Sequence, residues 1–283
     1  MSYTYKQVFG LNITVHPEHN PTIYSNMIKY AYEMKRTINV GGRNNYMVIS
    51  RIEPEKDGII IGRITRFSGI NSDEPWFDVD KMEIAEEDQM KNIVIPSHLK
   101  PNSCEFWFGF DSKHHIMVID KSNEGKNISI KYARTFIEKL LTSDEILKEF
   151  GEVNVNEITD INELDRMLAR KDIKRIIIKI TRPNPDDILH LSVPYFERLR
   201  SMNVNEQTTD CKASDGACIV PDDNMIKDAQ ISALNGRTEC YIQGEKGTKK
   251  IKISTDNHPK IISIPIDTEN SIQTIRDAIK RFF

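Results

Sequence analysis

The residues best placed for chemistry in this sequence are the cations of one strand-like run. In Arg175-Ile176-Ile177-Ile178-Lys179-Ile180-Thr181, period-two alternation sets Arg175 and Lys179 opposite the stripe Ile176, Ile178, Ile180, and Lys174 and Arg182 bracket the run. Lys250 and Lys252 repeat the arrangement opposite Ile251 and Ile253, with Lys246 and Lys249 beside them. Gathered on one surface, these side chains would neutralise several backbone phosphates, and binding to nucleic acid would weaken steeply with salt. The competing reading is a charged, solvated outer face, which is ordinary for half-buried strands.

A second chemistry lies in the acidic run Glu74-Pro75-Trp76-Phe77-Asp78-Val79-Asp80. On an extended segment Asp78 and Asp80 point to one side and could share Mg²⁺, as in a metal-dependent nuclease. The sequence supplies no recognisable third ligand, so the alternative is a wet acidic loop anchored by Trp76 and Phe77. Asp186 and Asp187 fit a helix start, where carboxylates meet the positive end of the dipole. His114 and His115 are adjacent on a strand end and face opposite ways, a poor metal pair, and His16, His19, His98, His190 and His258 form no readable set. Phosphate-cradling glycine loops of the GxxxxGK[ST] and GxGxxG kinds and the GxSxG elbow are all missing, so nothing points to ATP use or to α/β-hydrolase chemistry.

The elements that must position these residues follow from periodicity. Val8 to Val15 alternates as a strand, and Ile23, Met27, Ile28, Ala31 and Met34 trace a helix face. Tyr46 to Ile52 and Gly58 to Phe67 read as two strands, residues 68–99 as a long acidic excursion, and Glu105 to Phe110 with His115 to Asp120 as a hairpin. Helices are expected over 128–141 and 161–169, with a short one after Ser143 ending at Gly151, and strands over 153–158 and 175–181. A helix over 186–202, a polar connection over 203–221, a helix over 224–234, a hairpin over 239–254, a strand over 261–266 and a last helix over 271–283 complete the pass. The sum is an α+β protein with mixed or antiparallel sheets, helices packed on them and ferredoxin-like modules. The expected division is a core over 1–202 and a small C-terminal extension over 203–283.

With 283 residues, 39% of them hydrophobic, the chain can bury a full core without staples. Cys104, Cys211, Cys218 and Cys240 are irregularly spaced, which favours reduced thiols over a disulfide framework or a zinc site. The run at the N-terminus lacks the pattern of a secretory signal, and no stretch is apolar for the length a bilayer requires, so a cytoplasmic protein is expected. The net charge of -3 gives no global attraction to nucleic acid or to a membrane, and any such binding must be local.

Five segments taken together resemble an uncharacterised, prophage-associated bacterial family catalogued as a domain of unknown function. They are Leu11-Asn12-Ile13-Thr14-Val15-His16-Pro17, Gly62-Arg63-Ile64-Thr65, Glu74-Pro75-Trp76-Phe77-Asp78-Val79, Phe150-Gly151-Glu152-Val153-Asn154-Val155 and Ile180-Thr181-Arg182-Pro183-Asn184-Pro185-Asp186-Asp187. The resemblance implies a bacterial protein from a mobile-element or phage-defence setting, comparable in role to DNA-binding phage-exclusion proteins, and it carries no catalytic residues. The expectation is a non-enzymatic, cofactor-free homodimer that binds duplex DNA through Arg175, Lys179, Arg182, Lys250 and Lys252, with Lys174, Lys246 and Lys249 adding to the field. The alternatives are a Mg²⁺-dependent nuclease using Asp78 and Asp80, and a partner of another protein of the same defence operon or a sensor of a phage component, contacted through Trp76 and Phe77.

Overall fold

The computed structural model describes residues 5–42, 44–70, 74–86, 95–184, 192–243, 250–265 and 271–282. The chain opens with β1 (Tyr5–His16), a 12-residue strand, and α1 (Pro21–Glu33), whose start is fixed by Asn20 accepting the Ile23 N–H and by Pro21 in the first turn. Three strands follow: β2 (Ile38–Gly41), β3 (Asn45–Ile52) and β4 (Ile59–Ser68). The acidic excursion carries a minimal hairpin of β5 (Phe77–Asp78) and β6 (Glu83–Ile84). Next come β7 (Cys104–Asp111), β8 (Ile116–Asp120), the short pair β9 (Ser122–Asn123) and β10 (Lys126–Asn127), then α2 (Ile130–Leu141), α3 (Asp144–Phe150) and β11 (Glu152–Glu157). The remainder runs α4 (Ile161–Leu168), β12 (Ile173–Thr181), α5 (Ser192–Ser201), β13 (Glu206–Lys212), α6 (Asp223–Asn235), β14 (Gly236–Ile242), β15 (Ile251–Ser254), β16 (Ile261–Pro265) and α7 (Ser271–Lys280).

Two antiparallel sheets organise this α+β protein. The large one has the order β11-β1-β8-β7-β4-β3-β2, and β16 lies beside the first half of β1. Alternation decides its two faces. Phe9, Leu11, Ile13 and Val15 of β1 and Phe106, Phe108 and Phe110 of β7 point into a core closed by α1, α2 and α3. The opposite face offers Val8, Ile61 and Val118 to Ile275, Ala278 and Ile279 of α7. That helix approaches so closely that a Cβ on Gly109 would lie 2.6 Å from Ile275, so the strand must be bare at this point.

The small sheet has the order β13-β12-β14-β15. Ile176, Ile178 and Ile180 of β12 meet Leu164 and Met167 of α4, Leu199 of α5, and Ala229 and Ala233 of α6 in a second core. Strand β13 occupies the stretch for which a polar connection is expected. Its residues alternate exposed and half-buried, so as an edge strand it holds its place by the ladder to β12 rather than by an apolar stripe. Strand β14 begins where α6 ends. A Cβ on Gly236 would sit 2.0 Å from the Lys179 carbonyl oxygen, so only glycine lets the helix turn straight into the ladder. The sheets do not divide the chain at residue 202: residues 161–254 build the small sheet and its helices, while β16 and α7 return to the large one.

A polar seam joins the two modules. From β1, the Asn12 side-chain amide donates to the Asn235 side-chain oxygen at 3.0 Å and to the Leu234 carbonyl at 3.2 Å. Asn156 donates to the Thr181 hydroxyl at 3.0 Å, and that hydroxyl donates to the Asn235 carbonyl at 2.9 Å. His16 Nε2 lies 3.1 Å from the Arg182 carbonyl, which can only accept, so this nitrogen carries the proton. The Tyr24 hydroxyl donates to Asn184 Oδ1 at 3.0 Å, and Asn184 donates in turn to the Ile13 carbonyl. All these side chains are buried, where an unpartnered polar group would cost about 1–3 kcal/mol, so the network fixes one docking geometry.

Candidate nucleic-acid interface

The outer face of the small sheet is a charged grid set by antiparallel register. Arg175 stands between Lys212 on β13 and Tyr241 on β14, and Tyr241 is opposite Lys252 on β15. The next row holds Asp210, Ile177 and Glu239, and the third holds Thr208, Lys179 and Arg237. The strand alternation expected for Arg175 and Lys179 is therefore present, and the neighbouring strands supply cations and carboxylates in alternate rows.

Three of the cations are closed by those carboxylates. Arg175 grips Asp210 with two hydrogen bonds of 2.7 and 2.6 Å, which hold the Asp210 carboxyl below its usual range. Lys179 pairs with Glu206 at 2.6 Å, and Lys252 with Glu239 at 2.8 Å. Glu239 is buried; its burial favours the neutral acid, but Lys252, Arg237 and the Tyr241 hydroxyl outweigh that and lower its pKa. The Arg175 guanidinium also lies 5.4 Å above the Tyr241 ring.

The candidates part company along β12. Its C-terminal end packs into the seam, where Lys179 lines a polar cleft of about 200 Å³ with Arg134, Arg237 and Glu157. Burial raises the Glu157 pKa, the Arg134 charge opposes the rise, and Asp256 and Glu138 reinforce it. Arg182 lies at the seam itself, its backbone N–H donating to the Asn205 carbonyl at 2.6 Å. The N-terminal end of β12 is open. There Lys174, Arg175, Lys212 and Lys250 ring a hollow of about 870 Å³ that also touches Tyr241 and Asp215. Lys174 is thrown outward by the register shift between Ile173 and Arg175, and its ammonium donates to the Ala217 carbonyl at 2.6 Å. Among the described residues Arg175 is the one member of this group of four with a carboxylate at ion-pairing distance. Lys246 and Lys249 lie outside the described residues.

Lys212, Arg237 and Tyr241 are absent from the sequence-derived set. Lys212 follows from reading Glu206–Lys212 as an alternating strand, in which Glu206, Thr208, Asp210 and Lys212 share a face. Arg237 follows from starting β14 at Gly236 rather than at Glu239.

Asp78 Oδ1 accepts the backbone N–H groups of Asp80 at 3.0 Å and Lys81 at 3.1 Å, closing its own turn. Among the described residues no three His, Cys, Asp or Glu side chains stand together as metal ligands do. Asp186 and Asp187 lie outside the described residues. All four cysteines are free, and burial pushes the Cys240 thiol up to about 11.

An antiparallel α+β protein with an open, charge-gridded sheet face is the class that the geometry defines. The chain belongs to a family known as a domain of unknown function, DUF4747, whose model matches residues 4–283. No curated protein matches it. The motifs that carry the resemblance now have a physical role: Asn12, His16, Thr181, Arg182 and Asn184 come from two of them and meet in the seam. No helix of the described residues is long and apolar enough to cross a membrane.

Proposed function

We propose that the protein binds duplex DNA through its phosphates, without reading base sequence, at the open end of the small sheet. The observation that carries this reading is the convergence of Lys174, Arg175, Lys212 and Lys250 on one hollow. Arg175, Lys179 and Lys252 contribute less, because Asp210, Glu206 and Glu239 already satisfy them and remain beside them to repel a phosphate. Arg182 enters the seam through its backbone carbonyl and N–H. Tyr241 lines the same hollow, its ring under Arg175 and its hydroxyl donating to Glu239.

Phosphate contacts from Lys174, Lys212 and Lys250 give a log–log salt slope of roughly −3, so affinity falls roughly fortyfold between 50 and 200 mM salt. Fluorescence anisotropy with labelled duplexes of two unrelated sequences measures it. The expected result is equal affinity for both and loss of most binding in the Lys212→Glu/Lys250→Glu double variant. No binding at 50 mM salt overturns the reading. A place in phage exclusion is a further proposal, and it requires that the same double variant, expressed to the wild-type level, no longer lower phage plating.

A further inference from the structure

The outer edge of β13 presents a row of backbone groups that no described residue engages. The Ala213 N–H donates to the Lys174 carbonyl at 2.9 Å and the Arg182 N–H to the Asn205 carbonyl at 2.6 Å, closing the β12–β13 ladder at both ends. Between them the register runs unbroken from Arg175–Lys212 to Thr181–Glu206. Hydrogen-bonded pairs alternate along an antiparallel ladder, so the odd-numbered residues of β13 bond to β12. The N–H and C=O groups of Glu206, Thr208, Asp210 and Lys212 therefore point away from it, where the sheet ends.

Edges of this kind are usually kept short, covered or broken. β15, at the other end of the same sheet, has four residues. β2, at the edge of the large sheet, is flanked by α2, whose Lys139 ammonium donates to the Asn39 carbonyl at 2.9 Å. β13 has seven residues with neither proline nor bulge. Its one lysine stands at one end, and Glu206 stands at the other.

We propose that β13 of one copy pairs antiparallel with β13 of a second copy about a two-fold axis at Thr209, joining the two small sheets into one. The outward groups lie on even-numbered residues alone, so two such edges pair only even to even. Centred on Thr209, Glu206 faces Lys212 of the second copy and Thr208 faces Asp210, each pair exchanging both N–H···O bonds. The charged face then gains a cross-strand ion pair at each end, and Thr209 meets Thr209 on the opposite face. Sliding by one step in one direction sets Glu206 against Asp210, and in the other direction sets Asp210 against itself, so both place like charges together. Longer slides lose more than half of the ladder. The strand is thus complementary to its own copy in one register, which is what selects a second copy over an unrelated strand. The two-fold lies perpendicular to the sheet, so both charged faces look the same way. The contact does not rest on the DNA-binding reading.

Sedimentation velocity on the full chain without DNA, at about 5–500 µM, tests this. The wild type is expected to show a concentration-dependent monomer–dimer equilibrium. Thr208→Pro removes an outward N–H and leaves the ladder to β12 whole, so it is expected to weaken the dimer at least thirtyfold with an unchanged circular dichroism spectrum. Glu206→Lys and Lys212→Glu each set like charges together at both ends of the joint, and each is expected to weaken it about tenfold. The double variant Glu206→Lys/Lys212→Glu restores opposite charges and is expected to return to within about threefold of the wild type. A wild type that stays monomeric at 500 µM overturns the proposal. So does a dimer that Thr208→Pro leaves intact, or a double variant that associates no better than the single ones, either of which places the interface elsewhere.

Discussion

The large and the small sheet begin from the same alternating pattern and close their second face to different extents. In the large sheet α1, α2 and α3 close one face, and α7 lies over Gly109 on the other, leaving the β3–β4 part around Ser50 and Thr65 open. In the small sheet, α4, α5 and α6 cover one face, and the other is finished by Arg175–Asp210, Lys179–Glu206 and Lys252–Glu239. Apolar closure contributes stability in proportion to the area it removes from water, whereas solvent screens the exposed pairs and leaves them little net weight. The lesson is one of division: the first sheet carries the fold, and the second keeps a face whose charges can be spent on a ligand.

The sharpest way to break that contrast is to cut into α7. Ile279→Ala removes a fully buried side chain packed against Gly109 and is expected to cost about 2–5 kcal/mol in urea denaturation. A loss below 1 kcal/mol would mean that the second face of the large sheet is no better closed than that of the small one.

Acid tests the seam between the sheets. Burial lowers the His16 pKa from 6.5 to about 4, the bond to the Arg182 carbonyl opposes the drop, and the charges of Arg182 and His19 add to it. A group whose folded pKa lies below its unfolded one stabilises the fold above pH 6.5, and that contribution fades as pH falls toward 4. At about 1.4 kcal/mol per pKa unit, the loss by pH 4 is on the order of 3 kcal/mol. Relative to the wild type, His16→Asn is expected to show a flatter stability profile between pH 6.5 and 4, and identical slopes would refute the assignment.

Somewhat smaller is the effect of Asn235→Ala, which strips a partner from Asn12. It is expected to cost about 1–3 kcal/mol. Because the seam is the polar joint between two separate cores, tryptophan fluorescence from the large-sheet module and global circular dichroism should then cease to report one transition. Coincident curves would show that the modules stay coupled through apolar contacts instead.

The smallest stability change is expected at Asp210→Asn. Asp210 is over a third exposed, so the substitution should leave the urea-denaturation midpoint almost unmoved. It frees the Arg175 guanidinium and is expected to raise DNA affinity severalfold at 50 mM salt. Lower or unchanged affinity, by the same anisotropy titration, would make the ion pair part of the binding surface rather than a competitor.

Much of the fold was legible because its elements bury apolar stripes. Phe9, Leu11, Ile13 and Val15 mark β1 by alternation, and Ala133, Phe136, Ile137 and Leu140 mark α2 by helical spacing. Strand β13 was illegible for the converse reason: Glu206–Lys212 holds its place by hydrogen bonds to β12, and polar edge residues leave no hydrophobic period. The candidate interface was half visible. Alternation set Arg175 and Lys179 on one side, but which of them would face a carboxylate depended on Asp210 and Glu206, about 30 residues further along and one strand away. Periodicity describes a strand's faces and carries no information on its neighbours.

The position of β1 has a consequence for how the molecule comes into being. Its first half is flanked on one side by β16, so Phe9 is opposite Ile261, and the face bearing Val8 is closed by a helix later still. During synthesis at about 5–20 residues per second, that edge stays bare for roughly 7–30 s after β8 has joined the other side. An unpaired, apolar edge invites pairing with other nascent chains. Yield on expression should therefore respond to chaperone supply and to translation speed more than the finished protein's stability would suggest.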